Sequence, residues 1–320
     1  MKPTLDRRRF LRTTLAAGVG LSTIGKLTAA YQHAAAAACP TLGFSLYGMK
    51  GLPLDEAIRL CAEIGYDDVE PALLPNYPTD PQQFSAPQRK ATRDLLRTAG
   101  LNVPVMMENL TAVTTDALHA KNLDRIARAA EIGRDLAPDR PPILETVLGG
   151  KPADWPTARE PMIDRLRDWA ETARKHDLML AIKPHVGGTV HLPDAGKQIV
   201  DAVGSPHLRL VYDFSHYQVQ GLPLDATLTQ LADRSIFIHV KDGRRVDGKV
   251  EFLLPGDGAV DYVAYFRRLA ELKYRGSVTV EVSGQIHGRP GYDPAAAARR
   301  SYQHLSAAYE KAGLPPRRPT

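Results

Sequence analysis

The sequence predicts an α/β protein of the (β/α)8 class, a TIM barrel that occupies residues 39–314. Short apolar segments alternate eight times with longer amphipathic segments, as expected for successive βα units. The roughly 280 residues that follow residue 38 are enough for one such barrel. Four of the apolar segments also stop at an ionisable residue, namely Lys183, Asp213, His239 and Glu281.

These charged ends are expected where parallel strands leave the core. A parallel strand that is covered on both faces has a near-continuous apolar run, so a charged residue at its carboxyl end lies at a rim. In a TIM barrel that rim is where chemistry takes place. A doubly wound sheet is the alternative fold for the same alternation.

The eight predicted strands are runs of apolar and β-branched residues. In chain order they cover 41–48, 67–71, 102–108, 141–147, 178–183, 208–213, 235–241 and 277–282. The predicted helices that follow them cover 54–65, 85–100, 120–136, 156–176, 193–203, 223–232, 261–273 and 294–313. Several begin after Pro or Asp and end in Gly, which are ordinary helix start and stop signals. A longer loop is predicted after the seventh strand, and right-handed crossovers would close the units into a barrel.

Residues 1–38 resemble a twin-arginine signal peptide. Arg7 and Arg8 form the pair, although Asp6 stands where Ser or Thr is more usual. The apolar stretch at 13–25 is too short to span a bilayer, and the small residues at 34–38 offer cleavage points. We therefore predict export by the twin-arginine translocation machinery to the periplasm or the cell exterior. The alternative is a disordered basic tail, and residues 315–320 are predicted to be a disordered tail as well.

The charge distribution argues against a nucleic-acid partner. The chain has a formal net charge of +5, and residues 1–38 alone account for it, with six basic residues against Asp6. The remainder is formally neutral and is a poor binder of phosphate backbones. The two cysteines, Cys39 and Cys61, supply neither a disulfide framework nor a thiolate metal site.

Ionisable residues at the ends of strands six, seven and eight form the candidate site. Asp213 is followed at D-x-x-H spacing by His216, and His239 shares a strand face with Lys241. Carboxylate and imidazole groups suit a divalent cation. The plainer alternatives are that Asp213 caps the following turn and that Lys241 pairs with its neighbour in sequence, Asp242.

This pattern resembles the xylose isomerase-like barrels, which include sugar isomerases, ketose 3-epimerases and the endonuclease IV relatives. The resemblance covers residues 41–313 and is most specific in VYDFSH (211–216) and IHVKD (238–242). It implies one metal ion held by Glu, Asp, His and Glu from strands five to eight. The last three map to Asp213, His239 and Glu281, with His216 as a substrate-binding companion.

The fifth strand departs from the family pattern because Lys183 stands at the position of the first Glu. An ammonium group has no lone pair to offer a metal ion. Glu145, which ends the neighbouring fourth strand, is the candidate replacement, with an ion pair to Lys183 as the alternative. His185 and Glu108 are further candidate ligands and, with His216 and Lys241, candidate substrate-binding groups. The predicted cofactor is one divalent ion, Mn, Mg, Co or Zn.

We predict a metal-dependent enzyme that removes a proton next to the carbonyl of a non-phosphorylated keto-sugar or glycoside. The resemblance implies two proton-transfer groups, here Lys183 and Glu281, with His216 beside them. A nearby metal would lower the pKa of Lys183. No arginine cluster or Gly-rich cradle indicates a phosphate site. The sequence is also compatible with a homo-oligomer.

Four alternatives stay open. A keto-sugar lyase or hydratase uses the same proton abstraction, and a non-catalytic carbohydrate-binding barrel would be degenerate at Lys183. A glycoside hydrolase could use Glu145 and Glu281 as its two carboxylates. An apurinic endonuclease is disfavoured, because strands two and three end in Glu70 and Glu108 where histidines are expected.

Overall fold

Eight parallel strands form the barrel of the computed structural model, which describes residues 39–316. They are β1 (Thr41–Ser45), β2 (Asp68–Glu70), β3 (Val105–Glu108), β4 (Ile143–Thr146), β5 (Leu180–Ile182), β6 (Leu208–Asp213), β7 (Ser235–Val240) and β10 (Ser277–Val280). An antiparallel hairpin, β8 (Asp242–Val246) and β9 (Lys249–Leu253), stands apart from the barrel. The predicted signal peptide and most of the predicted tail lie outside the described residues.

Helices follow the barrel strands in the predicted order. The long ones are α1 (Leu54–Ile64), α2 (Ala86–Ala99), α3 (Asp116–Leu136), α4 (Trp155–Lys175), α5 (Pro193–Val203), α7 (Leu224–Leu231), α8 (Tyr262–Glu271) and α10 (Pro294–Lys311). Two short helices, α6 (Phe214–Gln218) and α9 (Gly284–His287), extend the site end of the barrel. Helices α1, α2 and α5 end at Gly65, Gly100 and Gly204, whose φ angles of 106°, 70° and 67° are accessible to glycine without steric cost.

The sheet closes on itself, which confirms the predicted TIM barrel. Its strand order is β2-β1-β10-β7-β6-β5-β4-β3, with every pair parallel. Between β2 and β3 only two isolated bridges complete the circle, Asp68 to Asn102 and Ala72 to Met107. The amide of Val69 donates to the Asn102 carbonyl at 2.9 Å. This seam joins β2 and β3, which stand at the two ends of the strand order.

The inside of the barrel changes from apolar to ionisable along the strands. Inward-facing apolar residues form a buried cluster, which consists of Val105, Ile143, Met179, Ala181, Val211, Ile236 and Phe237. Because side chains alternate along a strand, residues two positions further on share the same inner face. These are Glu145, Lys183, Asp213 and His239. The apolar cluster therefore forms the floor on which the ionisable groups stand.

The main difference from the prediction is the hairpin β8–β9, which occupies the expected long loop after the seventh strand. Its turn, Asp247-Gly248, has positive φ at both residues, 49° and 76°, the geometry that tight hairpins prefer. Over residues 39–316, no helix has the length and apolar character needed to cross a membrane.

Candidate functional site

The predicted site residues converge at the carboxyl ends of the barrel strands. Glu145 lies in β4, Asp213 is the last residue of β6, and His239 lies in β7. Lys183 and Glu281 follow directly after β5 and β10. The donor atoms of Asp213, His239 and Glu281 all lie within 4.8 Å of one another. The charged strand ends therefore share one rim, as predicted, and these five side chains form one network.

Lys183 is at the centre of this network. Its Nζ donates to Glu281 Oε1 at 2.9 Å, lies 3.1 Å from His239 Nδ1, and is 3.8 Å from Glu145 Oε1. Only 3% of the residue is exposed. Burial alone lowers the pKa of Lys183, but Glu145, Glu281 and Asp213 outweigh it and raise the pKa above its ordinary value. The protein surrounding Lys183 thus favours the charged ammonium form.

Lys241 is the second buried ammonium group. It donates to Asp213 Oδ2 and, at 2.5 Å, to Glu281 Oε2. The alternative pairing with Asp242 is not formed, because Asp242 accepts from the amides of Gly256 and Gly258 at 2.8 and 2.9 Å. Each oxygen of Glu281 therefore has an ammonium partner.

The two lysines set the charge of the carboxylates that they contact. Burial favours the neutral form of Glu281, yet Lys183 and Lys241 hold its pKa well below the ordinary value. Burial acts on Asp213 in the same direction, and Lys241 followed by His216 lowers its pKa well below the ordinary value. Both carboxylates are therefore ionised.

Glu70 is a member of the network that sequence reasoning missed. It ends β2, is fully buried, and its Oε2 lies 2.9 Å from His239 Nε2. Burial lowers the pKa of His239, but Glu70 and Glu281 together raise it above its ordinary value. Burial, then Glu70 and Glu281, raise the pKa of Glu145 to about 7 against the opposing effects of Lys183 and His239. The acid at the end of a buried strand was the available signal for Glu70.

His185 and His216 form a pair of imidazoles beside the lysines. Their ring centroids are 4.3 Å apart, and His216 Nε2 lies 3.4 Å from Asp213 Oδ2. Burial, then His216 and the lysines, lower the pKa of His185 to about 3, and burial also lowers the pKa of His216. Both rings are neutral, so each offers one donor and one acceptor nitrogen. His185 and Lys183 line a cavity of about 240 Å³ between the loops after β4 and β5.

With this geometry in place, comparison with known proteins identifies the family. The family model described as "Xylose isomerase-like TIM barrel" matches residues 58–308. The chain belongs to this family. Its resemblance, inferred above from VYDFSH and IHVKD, is thereby confirmed.

Individual members of the xylose isomerase-like family are only distantly similar. An inosose dehydratase of Geobacillus kaustophilus is 25% identical over 187 residues, which are 54% of this chain and 57% of that relative. A D-psicose 3-epimerase of Enterocloster bolteae is 23% identical over 235 residues, 68% of this chain and 73% of the relative. A solved structure of the IOLI protein with a bound zinc atom has a TM-score of 0.69 at 19% identity, covering 85% of this chain and 98% of that one. The last comparison shows the shared fold.

Two overlapping sets of donors among the described residues could hold a metal ion. One set is Asp213, His239 and Glu281, and the other is Glu70, Glu145 and His239. Carboxylate and imidazole are ordinary ligands of Zn and Mn. One carboxylate oxygen of Glu70 and one of Glu145 are buried without a hydrogen-bond partner. The chemical kinds of donor therefore suit a divalent ion.

The lysines, however, occupy the positions that such an ion needs. Lys183 Nζ lies against donors of both sets, and Lys241 Nζ takes Asp213 and the second oxygen of Glu281. A divalent ion on the same oxygens would face two ammonium groups, and like charges repel at that range. As the chain is arranged, a divalent ion does not fit among these donors while Lys183 is present.

The hairpin β8–β9 supplies a site residue that was hidden in the predicted loop. The ring of Phe252 lies 5.0 Å from the His216 ring and 5.1 Å from Lys241 Nζ, measured to its centroid. Gln285 of α9 holds the hairpin in place, because its Oε1 accepts from the Phe252 amide at 2.9 Å and its Nε2 donates to the Val250 carbonyl. Phe252 thus forms an apolar wall over the His216 and Lys241 side of the network.

Among the candidate site residues, Glu108 is paired with a residue outside the lysine network. Its two oxygens accept from Arg125 Nε and Nη2 at 2.6 and 2.7 Å, a bidentate pair between β3 and α3. Burial raises the pKa of Glu108 despite this partner. Its contacts are those of a structural ion pair at the barrel wall.

Proposed function

We propose that this protein is an enzyme that moves a proton next to the carbonyl group of a carbohydrate or related polyol. The observation that carries the proposal is the Glu281 carboxylate held between the ammonium groups of Lys183 and Lys241 at the open end of the barrel. Among its relatives are a dehydratase named for an inosose and a 3-epimerase named for D-psicose. Isomerisation, epimerisation and β-elimination all begin with this proton transfer.

The arrangement matches what that proton transfer needs. When the C–H bond next to a carbonyl breaks, its electron pair forms a new C=C bond and the carbonyl oxygen becomes negative. Buried ammonium groups can stabilise that oxygen, because electrostatic interactions are strong in a water-poor site. Glu281 has 12% of its side chain exposed, against 3% or less for its lysine partners, so it borders the open mouth. The ionised Glu281 is the proposed base, and the charged Lys183 is the proposed acid.

Neutral imidazoles and an aromatic ring fit a sugar rather than a phosphate ester. His185 and His216 can each donate to and accept from hydroxyl groups. Both ammonium groups of the network already have carboxylate partners, so they do not form a free cationic cradle for a phosphate. We therefore propose a non-phosphorylated keto-sugar, inosose or keto-glycoside as the substrate class.

A divalent-ion enzyme is the second candidate, and the donor chemistry of Asp213, His239 and Glu281 is the observation that supports it. Glu70, Glu145, Asp213 and Glu281 are four buried or nearly buried carboxylates, and the network contains two lysines. If Lys183 moved aside, Asp213, His239 and Glu281 would hold the ion, with Glu145 as a fourth ligand. Such an ion would supply Lewis-acid polarisation of a carbonyl oxygen.

An isotope-exchange experiment tests the proposed function. The purified protein is incubated in heavy water with inososes, free ketohexoses and keto-glycosides, and proton NMR follows loss of the signal next to the carbonyl. We expect exchange with at least one substrate, and loss of that exchange in Glu281→Gln. Glu171→Gln on the exposed face of α4 is the matched control and should behave as wild type. Binding of these compounds without any exchange would instead indicate a carbohydrate-binding barrel.

We also propose that the protein is exported through the twin-arginine pathway to the periplasm or beyond. Arg7, Arg8 and the neutral remainder of the chain support this proposal. A fusion of residues 1–38 to a reporter should be exported, and replacing both arginines by lysine should stop export. Cytoplasmic retention of the unmodified fusion would contradict the proposal.

A further inference from the structure

We propose that Lys183 is the resident cation of this site, and that its ammonium group does the electrostatic work of a divalent ion. This inference rests on the proposed function and specifies how the site stabilises negative charge. The inference predicts that this protein works without a metal ion, although its site contains carboxylate and imidazole groups of the kind that bind metals.

The contacts of Lys183 are those of a cation held by a complete set of ligands. An ammonium group has three N–H donors. Lys183 Nζ donates to Glu281 Oε1 at 2.9 Å and forms an ion pair with Glu145 Oε1 at 3.8 Å. It also lies 3.1 Å from His239 Nδ1, which accepts when the ring proton is on Nε2, facing Glu70. Glu281 and His239 belong to one candidate metal-binding set, and Glu145 and His239 belong to the other. One ammonium group therefore serves both sets.

The remaining donor atoms of the first set are also committed within the protein. Glu281 Oε2 and Asp213 Oδ2 accept from Lys241. Asp213 Oδ1 accepts from the hydroxyl of Ser215 at 2.6 Å and from its amide at 3.2 Å. His239 Nε2 faces Glu70. Every donor atom of this first set already has a partner within the protein, so a metal ion would have to compete with these contacts.

Energetics keep Lys183 in this place. A buried ammonium group is costly unless it is paired and hydrogen-bonded, so moving Lys183 aside would leave it and its acceptors unsatisfied. Lys183 directly follows β5. Met179 and Ala181, at alternate positions before it, lie on the same inward-facing row. Since strand geometry fixes this direction, the ammonium group is built into the barrel wall rather than placed by a mobile loop.

The chemical consequence is charge stabilisation at a group that cannot be removed by chelation. In the proposed reaction Glu281 takes the proton, the C–H electron pair forms the C=C bond, and the π pair of the carbonyl moves onto its oxygen. Lys183 borders the cavity of about 240 Å³ beside His185, where such an oxygen can approach it. Its N–H groups can then donate to that oxygen as the charge develops.

Metal analysis of the full chain tests this inference independently of activity. After purification with added Mn²⁺ and Zn²⁺ and then dialysis, elemental analysis should find no stoichiometric ion in the wild type. Lys183→Glu adds a fourth ligand, and a third carboxylate, to Asp213, His239 and Glu281, and calorimetry should then show Mn²⁺ binding tightened by about 100-fold or more. Lys175→Glu, on the exposed end of α4, is the matched control and should leave Mn²⁺ binding at the wild-type level.

Two outcomes would overturn the inference. One is a wild-type protein that retains one ion per chain, and the other is a folded Lys183→Glu that binds Mn²⁺ no better than wild type. If Lys183→Glu does not fold, Lys183→Met replaces it and must also bind Mn²⁺ more tightly. Where a substrate has been found, EDTA should leave wild-type isotope exchange unchanged. Because the binding arms need no substrate, they separate failure of this inference from failure of the proposed function.

Discussion

Glu281 and Glu108 are both carboxylates at the ends of barrel strands, yet their surroundings differ in kind. Glu108 is paired with Arg125, which reaches in from helix α3 with a third of its side chain exposed. Glu281 is paired with Lys183 and Lys241, which follow strands β5 and β7 and are almost fully buried. A partner from a helix fixes a strand to the outer layer, whereas partners from strands create a charged centre inside the barrel. The origin of the cation therefore distinguishes the structural acid Glu108 from Glu281, the acid proposed to act in catalysis.

The largest expected effect is on Glu281. Glu281→Gln keeps the shape of the side chain but leaves Lys183 and Lys241 without their shared negative partner. We expect isotope exchange to fall by about 1,000-fold or more, and the free energy of unfolding to fall by about 3 kcal/mol because two buried ammonium groups lose a partner. NMR exchange rates and urea denaturation measure the two effects. Wild-type exchange in this variant would remove Glu281 from the proposed site.

Glu108→Gln sharpens the comparison because it changes stability without changing chemistry. The variant loses the bidentate bond to Arg125, and we expect a loss of about 2 kcal/mol in the free energy of unfolding. Isotope exchange should stay within about twofold of wild type. Urea denaturation and NMR give the two values. A drop in exchange as large as that of Glu281→Gln would show that the two acids act together.

Phe252→Leu tests the wall that the hairpin adds to the Glu281 side of the barrel. Leucine keeps the site apolar but removes the aromatic face over Lys241 and beside His216. A substrate that packs against this aromatic face would lose about 1 kcal/mol of contact, which predicts a roughly fivefold weaker substrate affinity with a smaller change in turnover. Titration calorimetry and initial rates separate the two. An unchanged affinity would assign Phe252 to hairpin packing alone.

The smallest effect is expected for an exposed ion pair. Arg299 of α10 lies 2.8 Å from Glu63 of α1, and both side chains are largely in solvent. Arg299→Gln should change the free energy of unfolding by about 0.5 kcal/mol or less, since solvent screens such pairs. Urea denaturation of Arg299→Gln and Glu108→Gln side by side compares the free energy of unfolding lost from an exposed and from a buried acid–arginine pair. A loss equal to that of Glu108→Gln would contradict this view.

The convergence of these side chains could be predicted from the sequence because strand ends are visible in it. Apolar runs stop at Asp213, His239 and Glu281, and period-two alternation puts these residues on one inner face. The same rule applied to β2 predicts Glu70 as a member of the network, because this acid also ends a buried strand.

Other parts of the site depend on packing between distant segments. The partners of Lys183 come from three other strands, and no local pattern says which carboxylate an ammonium group will reach. The sequence predicts a loop where the hairpin that carries Phe252 lies, because the exposed positions of the hairpin are mostly polar. Its Asp247-Gly248 turn was the signal that could have revealed it.

The seam between β2 and β3 gives the barrel wall one thin side. With only two isolated bridges there, separating these strands breaks fewer ladder hydrogen bonds than separating the neighbouring pair β3 and β4. Local opening needs less free energy where fewer contacts must break, so amide protons at this seam, such as that of Val69, should exchange with solvent before those of β6. Since Glu70 ends β2, breathing of the wall at this point would also loosen the support behind His239.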